Sequence, residues 1–216
     1  MEIGDLVARD GIVLRGVVTC IRHFGPEQAR ASALCAAETA GAFITGFGIA
    51  GDETAGRPRD FAWSFDLARE AGLRLTAHAG EWGGPGSVRE AVADLGVERI
   101  GHGVRAAEDL RLVDELAETG VVLEVCPGSN VALGLFPSWQ RHPIQTLRER
   151  GVKVTVSTDD PPFFRTSMER EYEELARAFG WDAGDFLEIA RNALDAAFCD
   201  ADTKGRLADR LKDHPT

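Results

Sequence analysis

The sequence lacks the features that mark several large classes of protein. None of its apolar runs approaches the ~20 residues needed to cross a membrane. No GxGxxG or GxxxxGK(S/T) segment is present, so nothing marks a dinucleotide or nucleotide-phosphate loop. Basic residues are outnumbered, 24 to 35, and the net charge of -11 at pH 7 disfavours nucleic acid and anionic membranes. We therefore expect neither a nucleic-acid nor a membrane partner.

Cysteine is scarce and scattered. Cys20, Cys35, Cys126 and Cys199 lie far apart and form no CxxC pair, which predicts free thiols in a reducing compartment and no cysteine zinc site. The opening segment MEIGDLVARDG is acidic and lacks the basic-then-apolar order of a signal peptide. Together these features predict a cytoplasmic protein.

What the chain does contain is one recurring pattern, in which a β-branched run ends in polar or glycine residues and an amphipathic helix follows. The runs are GVVTCI at 16–21, AFITGFGIAG at 42–51, LRLTAHAG at 73–80, VERIGHG at 97–103, GVVLEVCPGSN at 120–130 and VKVTVSTDD at 152–160. Alternating strands and helices predict a parallel sheet. No linker or compositional break interrupts the pattern, so we expect a single domain over residues 1–216.

The helical segments between the strands show the expected spacing. Val88, Ala91, Val92 and Leu95 recur at i, i+3, i+4 and i+7, and the stretch 186–197 continues that spacing over three turns. The parallel sheet could be an open doubly wound sheet or a (β/α)8 barrel. Chemically capable residues end several successive strands, which is where barrel enzymes place catalytic groups. We therefore expect a (β/α)8 TIM-type barrel, incomplete here because only six of its eight strands are found.

The segment 76-TAHAGEWGGPG-86 is the first candidate for chemistry. An imidazole at a strand end, His78, can ligate a metal, and a carboxylate three residues on, Glu81, can exchange protons in the same space. The alternative is a hydrogen-bonded histidine beside a surface glutamate.

Two further strand ends carry titratable groups. His102 lies between two glycines in 100-IGHG-103, which let a backbone or ligand approach closely; the alternative is a turn histidine. Asp159 and Asp160 are adjacent in 157-STDDPPFF-164, where two like charges need a cation or hydrogen-bond donors. The alternative is a helix-capping aspartate beside a solvated one.

The remaining strand ends are less specific. Cys126 in 124-EVCPGSN-130 has no neighbouring histidine and is interpreted as a buried thiol, with Pro-Gly-Ser-Asn forming a turn. Gly51 ends the second strand before Asp52 and Glu53 and suits backbone contact with a ligand; a simple turn explains it equally well. His142 is interpreted as a helix-start residue and is not assigned to a metal.

Taken in order, these motifs resemble one known family. GDE at 51–53, HAGE at 78–81, ERIGHG at 98–103, EVCPGSN at 124–130 and STDDP at 157–161 resemble the adenosine deaminase family of metal-dependent hydrolases over nearly the whole chain. The resemblance implies a (β/α)8 barrel that holds one zinc ion, Zn2+, and a water bound to it.

The resemblance also implies a role for each matching residue. His78 and Asp159 would be zinc ligands, Glu81 would be the proton shuttle to purine N1, and His102 would orient the attacking water. The chemistry is consistent, because zinc lowers the pKa of its water to ~7. Attack on C6 puts charge on N1, so an acid must protonate that nitrogen.

The other implied contacts concern the substrate. Asp160 would hold the purine by hydrogen bonding, and the backbone of Gly51 would contact the ring. The implied partner is a small-molecule purine nucleoside, and the implied reaction is deamination of adenosine or deoxyadenosine to inosine or deoxyinosine with release of ammonia. Two alternatives stay open: deamination of adenine or another 6-aminopurine, and an inactive, metal-poor fragment of such an enzyme.

The sequence departs from the family at its start. The family's barrel opens with a His-x-His strand that gives two more zinc ligands, and no His-x-His occurs here. The first strand, GVVTCIRH, resembles the family's third, so the chain corresponds to about strands 3–8 of an N-terminally truncated barrel. Catalytic zinc usually has three protein ligands. We therefore expect weak metal binding, poor solubility and self-association through the open barrel edges.

Overall fold

The structure is a computed structural model and describes residues 12–212. Residues 1–11 and 213–216, which belong to the predicted domain and include the opening segment tested for a signal peptide, lie outside the described residues. Among residues 12–212, no helix is both long and apolar enough to cross a bilayer. That the whole chain is one domain stays a prediction.

A six-stranded parallel sheet organises the described part of the chain. Its strands are β1 Gly16–Ile21, β2 Ile44–Ala50, β3 Arg74–Ala79, β4 Arg99–His102, β5 Val122–Val125 and β6 Val154–Val156. Each strand pairs with the next one in sequence, in the order β1 to β6. Within residues 12–212 no pairing joins β6 back to β1. The prediction of an incomplete (β/α)8 barrel is confirmed, and the six strands coincide with the six predicted runs.

Helices follow the strands in alternation. They are α1 Gly25–Thr39, α2 Ala62–Glu70, α3 Gly84–Leu95, α4 Leu110–Thr119, α5 Pro127–Ala132, α6 Ile144–Glu149, α7 Pro161–Phe164, α8 Met168–Phe179, α9 Ala183–Ala196 and α10 Ala201–Lys212. The helical spacing found in the sequence corresponds to α3 and α9. The predicted turn at 127–130 is wrong, because Pro127 begins the short helix α5 there. Proline is well tolerated in the first turn of a helix, where its missing N–H leaves no bond unmade.

Strand β3 shows how residue alternation separates the core from the chemistry. Leu75, Ala77 and Ala79 are buried in the hydrophobic core together with residues of α2 and α3. Thr76 and His78 lie on the opposite face, since successive side chains of a strand alternate. The helix-covered face therefore supplies packing, and the other face carries polar groups to the carboxyl end of the strand.

The core itself is built from aromatic and aliphatic side chains between the sheet and its helices. Phe47 of β2 and Phe65 of α2 are both fully buried and meet edge to face, with ring centroids 5.2 Å apart. Burial of side chains of this size stabilises a fold by about 1.5–3 kcal/mol each. This packing holds the strands in register and thereby fixes where their polar ends lie.

Candidate active site

Four of the residues predicted from the sequence converge at the carboxyl edge of the sheet. His78 Nε2 lies 3.3 Å from Glu81 Oε2, and His102 Nδ1 lies 3.5 Å from Glu81 Oε1. On its other side, His102 Nε2 lies 3.9 Å from Asp159 Oδ2. The rings of the two histidines contact each other with centroids 4.6 Å apart. The cluster thus joins the ends of β3, β4 and β6, and His102 is at its centre.

Two members of this cluster have left-handed backbone conformations. His102 has φ 63° and Asp159 has φ 59°, a region that non-glycine residues rarely adopt and that costs on the order of 1–3 kcal/mol. Strand alternation would place His102 on the same face as the buried core residue Ile100. The positive φ breaks the alternation at the strand end and brings the imidazole beside His78. Strain of this kind collects at functional sites, where the surrounding structure holds it in place.

The loop that carries Glu81 is held by a buried carboxylate, Glu53. The backbone N–H groups of Gly80, Glu81 and Trp82 donate to it at 2.7, 2.9 and 3.0 Å, and Ser87 Oγ donates as well. Burial alone would raise the pKa of Glu53, but these hydrogen bonds outweigh it and hold the pKa below its usual range. Sequence reasoning assigned Glu53 only to a turn and missed this function.

Gly80 allows the loop to lie directly against α3. Its φ is 74°, and a Cβ at this position would overlap the side chain of Val88. Any other residue would therefore be strained in its backbone and would push the loop away from the helix. The glycine of the HAGE motif consequently fixes where Glu81 points.

Three further residues of the site were not predicted. Ser129 Oγ donates to Asp159 Oδ2 at 2.7 Å. The side-chain amide of the fully buried Asn130 lies 3.1 Å from Glu81 Oε1 and 3.3 Å from His102 Nδ1. Asn130 Oδ1 in turn lies 3.1 Å from Nε2 of the buried His142. The position of Ser129 and Asn130 just past a strand end is a signal that could have identified them, whereas nothing in the sequence singles out His142.

Burial and hydrogen-bond partners set the protonation of Glu81, His78 and His102. Burial alone would raise the pKa of Glu81, but the hydrogen bond to His78 and the charges of His102 and His78 lower it. Burial would lower the pKa of His78, yet its hydrogen bond to Glu81 and the charges of Glu53 and Glu81 raise it overall. For His102 burial dominates and lowers the pKa. Glu81 is therefore a carboxylate at neutral pH, and His102 is a neutral imidazole.

The donors in the cluster fit a metal ion. His78, Glu81 and His102 bring ligand atoms within 4.8 Å of one another, and His102, Cys126 and Asp159 do the same. Imidazole nitrogens and carboxylate oxygens are zinc ligands. His78 Nδ1 is buried, and no described residue gives it a hydrogen bond; Glu53 Oε1 is 3.6 Å away. Nδ1 thus faces Glu53, and Nε2 is the nitrogen of this imidazole that faces the other donors of the cluster.

The other predicted site residues lie at the rim. Asp160 is exposed, and within residues 12–212 no hydrogen bond or ion pair involves its carboxylate. Gly51 follows β2 with φ 95°, and a Cβ there would come within 2.9 Å of His23 Nδ1. Among the described residues, no hydrogen bond or ion pair joins Asp160 to the four-residue cluster, and Gly51 could contribute only its backbone. Cys126 is buried, which agrees with the interpretation as a buried thiol, and burial strongly raises the pKa of that thiol.

We predict that His142 makes the stability of the fold depend on pH. Burial and the neighbouring His102 lower the pKa of His142 to about 3, whereas an unfolded histidine titrates at about 6.5. The contribution of His142 to the free energy of unfolding is fully present above pH 6.5 and is lost as the pH falls toward 3. In this range the unfolded chain binds a proton at this histidine and the folded chain does not. Between pH 7 and pH 5 the loss is about 2 kcal/mol.

Urea denaturation of the wild-type chain and of His142→Gln at both pH values tests this prediction. Glutamine does not titrate, so the stability difference between the two proteins should shrink by about 2 kcal/mol on acidification. An unchanged difference would show that His142 is not buried as a neutral imidazole.

Comparison with known proteins places these features in context. Residues 6–214 match the family model described as adenosine deaminase. The chain is 52% identical over 203 residues to an adenine deaminase of Rhizobium leguminosarum bv. trifolii, covering 94% of this chain and 63% of that protein. The chain thus spans less than two thirds of the length of this relative.

Two solved structures are similar as well. The adenine deaminase of Arthrobacter aurescens superposes with a TM-score of 0.89 at 30% identity, over 98% of this chain and 64% of that one. An amidohydrolase from Burkholderia ambifaria with bound Zn gives a TM-score of 0.86 at 30% identity, over 98% of this chain and 62% of that one.

These matches correct the substrate inferred from the sequence. Adenosine or deoxyadenosine was the expected substrate, and that prediction is wrong: the relatives at 48–52% identity carry the name adenine deaminase. The error has a chemical reason. The roles that the resemblance implies for His78, Glu81, His102 and Asp159 all concern the ring, which adenine and adenosine share. The recognised motifs therefore could not distinguish the free base from its nucleoside.

Proposed function

The chain belongs to the adenosine deaminase family, and we propose that it carries the catalytic groups of an adenine deaminase, which converts adenine and water into hypoxanthine and ammonia. One observation carries the choice of substrate: the relative from Rhizobium leguminosarum bv. trifolii, an adenine deaminase, is 52% identical over 203 residues. The geometry of the cluster supports the reaction class, because it combines a carboxylate, an imidazole and metal-ligating donors at one strand edge.

Glu81 is the proton shuttle of this proposal. Its lowered pKa makes it a carboxylate at neutral pH, so it begins as a proton acceptor for the attacking water. Once protonated, the same carboxyl can donate to N1 of the adenine ring, which gains electron density when C6 is attacked. Asn130 donates to Oε1 of Glu81 and so restricts the rotation of the carboxylate. One group thereby performs both proton transfers.

His102, Asp160 and Gly51 would act on the water and the base. The imidazole of His102 lies between Glu81 and Asp159 and is placed to orient the attacking oxygen. The Asp160 carboxylate is exposed and has no partner among the described residues, which leaves it available to accept a hydrogen bond from the purine. The backbone of Gly51 at the rim would contact the ring.

Imidazole and carboxylate donors favour zinc, and in this proposal His78 and Asp159 would be its ligands. Each lies in one of two neighbouring donor groups that share His102. When bound, it would supply a strong nucleophile at neutral pH by lowering the pKa of a water to ~7. A similar structure from Burkholderia ambifaria contains Zn, which supports this assignment. Ser129 donates to Asp159 and would hold that carboxylate in its orientation.

A second candidate function is aminopurine binding without turnover. It is favoured by the absence of any His-x-His from the sequence, because His78 and Asp159 are two ligands where catalytic zinc usually has three. Zinc content and hypoxanthine formation, measured in one preparation, separate the two. Near-stoichiometric zinc with turnover supports the enzyme, and a zinc-free preparation that binds adenine without turnover supports the second candidate.

We predict that adenine is preferred over adenosine by at least about 100-fold in kcat/KM, a discrimination within the reach of a shaped binding site. The rates are measured for both compounds with the zinc-loaded chain, by the loss of absorbance of the 6-aminopurine. Equal values, or a preference for the nucleoside, would contradict the proposed substrate.

A further inference from the structure

Two buried side chains, His142 and Asn130, connect the cluster to the backbone amide of Ile144. The N–H of Ile144 donates to His142 Nδ1 at 3.2 Å, and His142 Nε2 lies 3.1 Å from Asn130 Oδ1. Asn130 Nδ2 then lies 3.1 Å from Glu81 Oε1 and 3.3 Å from His102 Nδ1. His142 and Asn130 are 3% exposed and fully buried, respectively.

Each hydrogen bond along this path determines the donor and acceptor of the next one. Because Ile144 donates to Nδ1, that nitrogen of His142 carries a lone pair, and the proton of the neutral ring is on Nε2. His142 therefore donates to Asn130, which fixes the oxygen of the amide on that side. The reverse orientation of the amide would place its oxygen against the Glu81 carboxylate, where two acceptors would repel.

The amide nitrogen of Asn130 consequently faces the catalytic groups. It has two protons, and Glu81 Oε1 and His102 Nδ1 are the two acceptors within reach. We propose that Asn130 and His142 are positioning residues that keep Nδ1 of His102 as the acceptor of the Asn130 amide and so select the tautomer with its proton on Nε2. The roles of both residues in catalysis rest on the proposed function, whereas the tautomer itself does not.

The opposite side of the ring agrees with this assignment. His102 Nε2 lies 3.9 Å from Asp159 Oδ2, an oxygen that already accepts a hydrogen bond from Ser129. A proton on Nε2 faces this carboxylate favourably. Nδ1 also faces a carboxylate oxygen, Glu81 Oε1 at 3.5 Å, so the assignment depends on the Asn130 amide, which lies within reach of both. His102 therefore presents a donor at Nε2, so the proton of the attacking water goes to Glu81 rather than to His102.

Nuclear magnetic resonance of the 216-residue chain labelled with 15N-histidine tests the proposal directly. Long-range 1H–15N correlations at neutral pH distinguish a protonated ring nitrogen from one with a lone pair, and single His→Gln variants assign the signals. We expect Nε2–H and an unprotonated Nδ1 for both His102 and His142. A proton on Nδ1 of His102 in the wild-type chain would overturn the proposal.

Two variants test whether Asn130 and His142 cause the tautomer. In Asn130→Asp the carboxylate only accepts, so Nδ1 of His102 should gain a proton. Asn192→Asp is the matched control, because Asn192 Nδ2 donates to the backbone oxygen of Val154 and not to the cluster. In His142→Leu the Asn130 amide loses its donor partner, so His102 should populate both tautomers. His142→Gln retains a donor, so the proton of His102 should stay on Nε2. An unchanged His102 spectrum in both Asn130→Asp and His142→Leu would also overturn the proposal.

Kinetics supply the second readout. In Asn130→Asp the groups that Asn130 positions, Glu81 and His102, should lose their alignment, whereas the substrate contacts remain. We therefore expect kcat to fall by about 100-fold and KM to change by less than about threefold. If the wild-type chain shows the expected His102 tautomer but does not turn over adenine, the positioning of the ring is supported and the proposed function is rejected. If the chain turns over adenine but His102 has its proton on Nδ1, the proposed function is supported and the positioning proposal is rejected.

Discussion

Replacing Glu81 with glutamine is expected to lower adenine turnover by about 10³-fold while leaving the fold and the zinc content intact. Glutamine keeps the size of the side chain and its hydrogen-bonding reach but can neither accept a proton from water nor deliver one to N1. General acid–base catalysis by one positioned group contributes about 10²–10⁴-fold. The loss should therefore appear in kcat, with a smaller change in KM.

The matched control for this variant is Glu115→Gln on α4. The Glu115 side chain is 57% exposed and pairs with Arg89 at 3.6 Å, remote from the catalytic groups. The control removes the same charge, so it should retain wild-type activity. Hypoxanthine formation and bound zinc are measured on all three proteins. If Glu81→Gln kept more than about a tenth of the wild-type rate, Glu81 would not be the proton shuttle.

Replacing Glu53 with alanine is expected to have the largest effect on stability, a decrease of about 3–5 kcal/mol in the free energy of unfolding. The variant leaves the buried N–H groups of Gly80 and Glu81 without an acceptor. Each unsatisfied buried donor costs about 1–3 kcal/mol. The loop that carries Glu81 also loses its anchor, so turnover should fall together with stability.

Urea denaturation of Glu53→Ala, Glu53→Gln and Asp52→Ala tests this prediction. Glutamine retains one acceptor oxygen and should lose less stability than alanine. Asp52 precedes Glu53 and is exposed. Within residues 12–212 its carboxylate accepts hydrogen bonds from the backbone N–H and the hydroxyl of Thr54 alone, so its removal should shift the midpoint little. A loss for Glu53→Ala no greater than that for Asp52→Ala would show that the loop does not depend on the buried carboxylate.

The sequence by itself predicted the architecture and four residues that the structure brings together at the carboxyl edge of the sheet. Alternation and β-branched composition identified all six strands, because a residue's preference for a pleated, half-buried position is local information. The positions of His78, Glu81, His102 and Asp159 at strand ends predicted that they converge, because the carboxyl ends of parallel strands share one edge. The resemblance then indicated the family, and the comparisons changed only the substrate.

Only the tertiary structure showed how these groups are oriented and held. The positive φ of His102 reverses the face that strand alternation assigns to it, and no residue type in 100-IGHG-103 specifies that rotation. Glu53 contacts a loop 27 to 29 residues further along the chain, and it reads as a turn residue from sequence.

The same holds for the path from Ile144 through His142 and Asn130 to His102. His142 looked like a helix-start residue, and its function depends on an amide 12 residues away in sequence that packing brings to 3.1 Å. Periodicity and residue type encode what each segment prefers locally. Which donor meets which acceptor is decided when the segments pack together, because a hydrogen bond depends on tenths of an ångström and on direction.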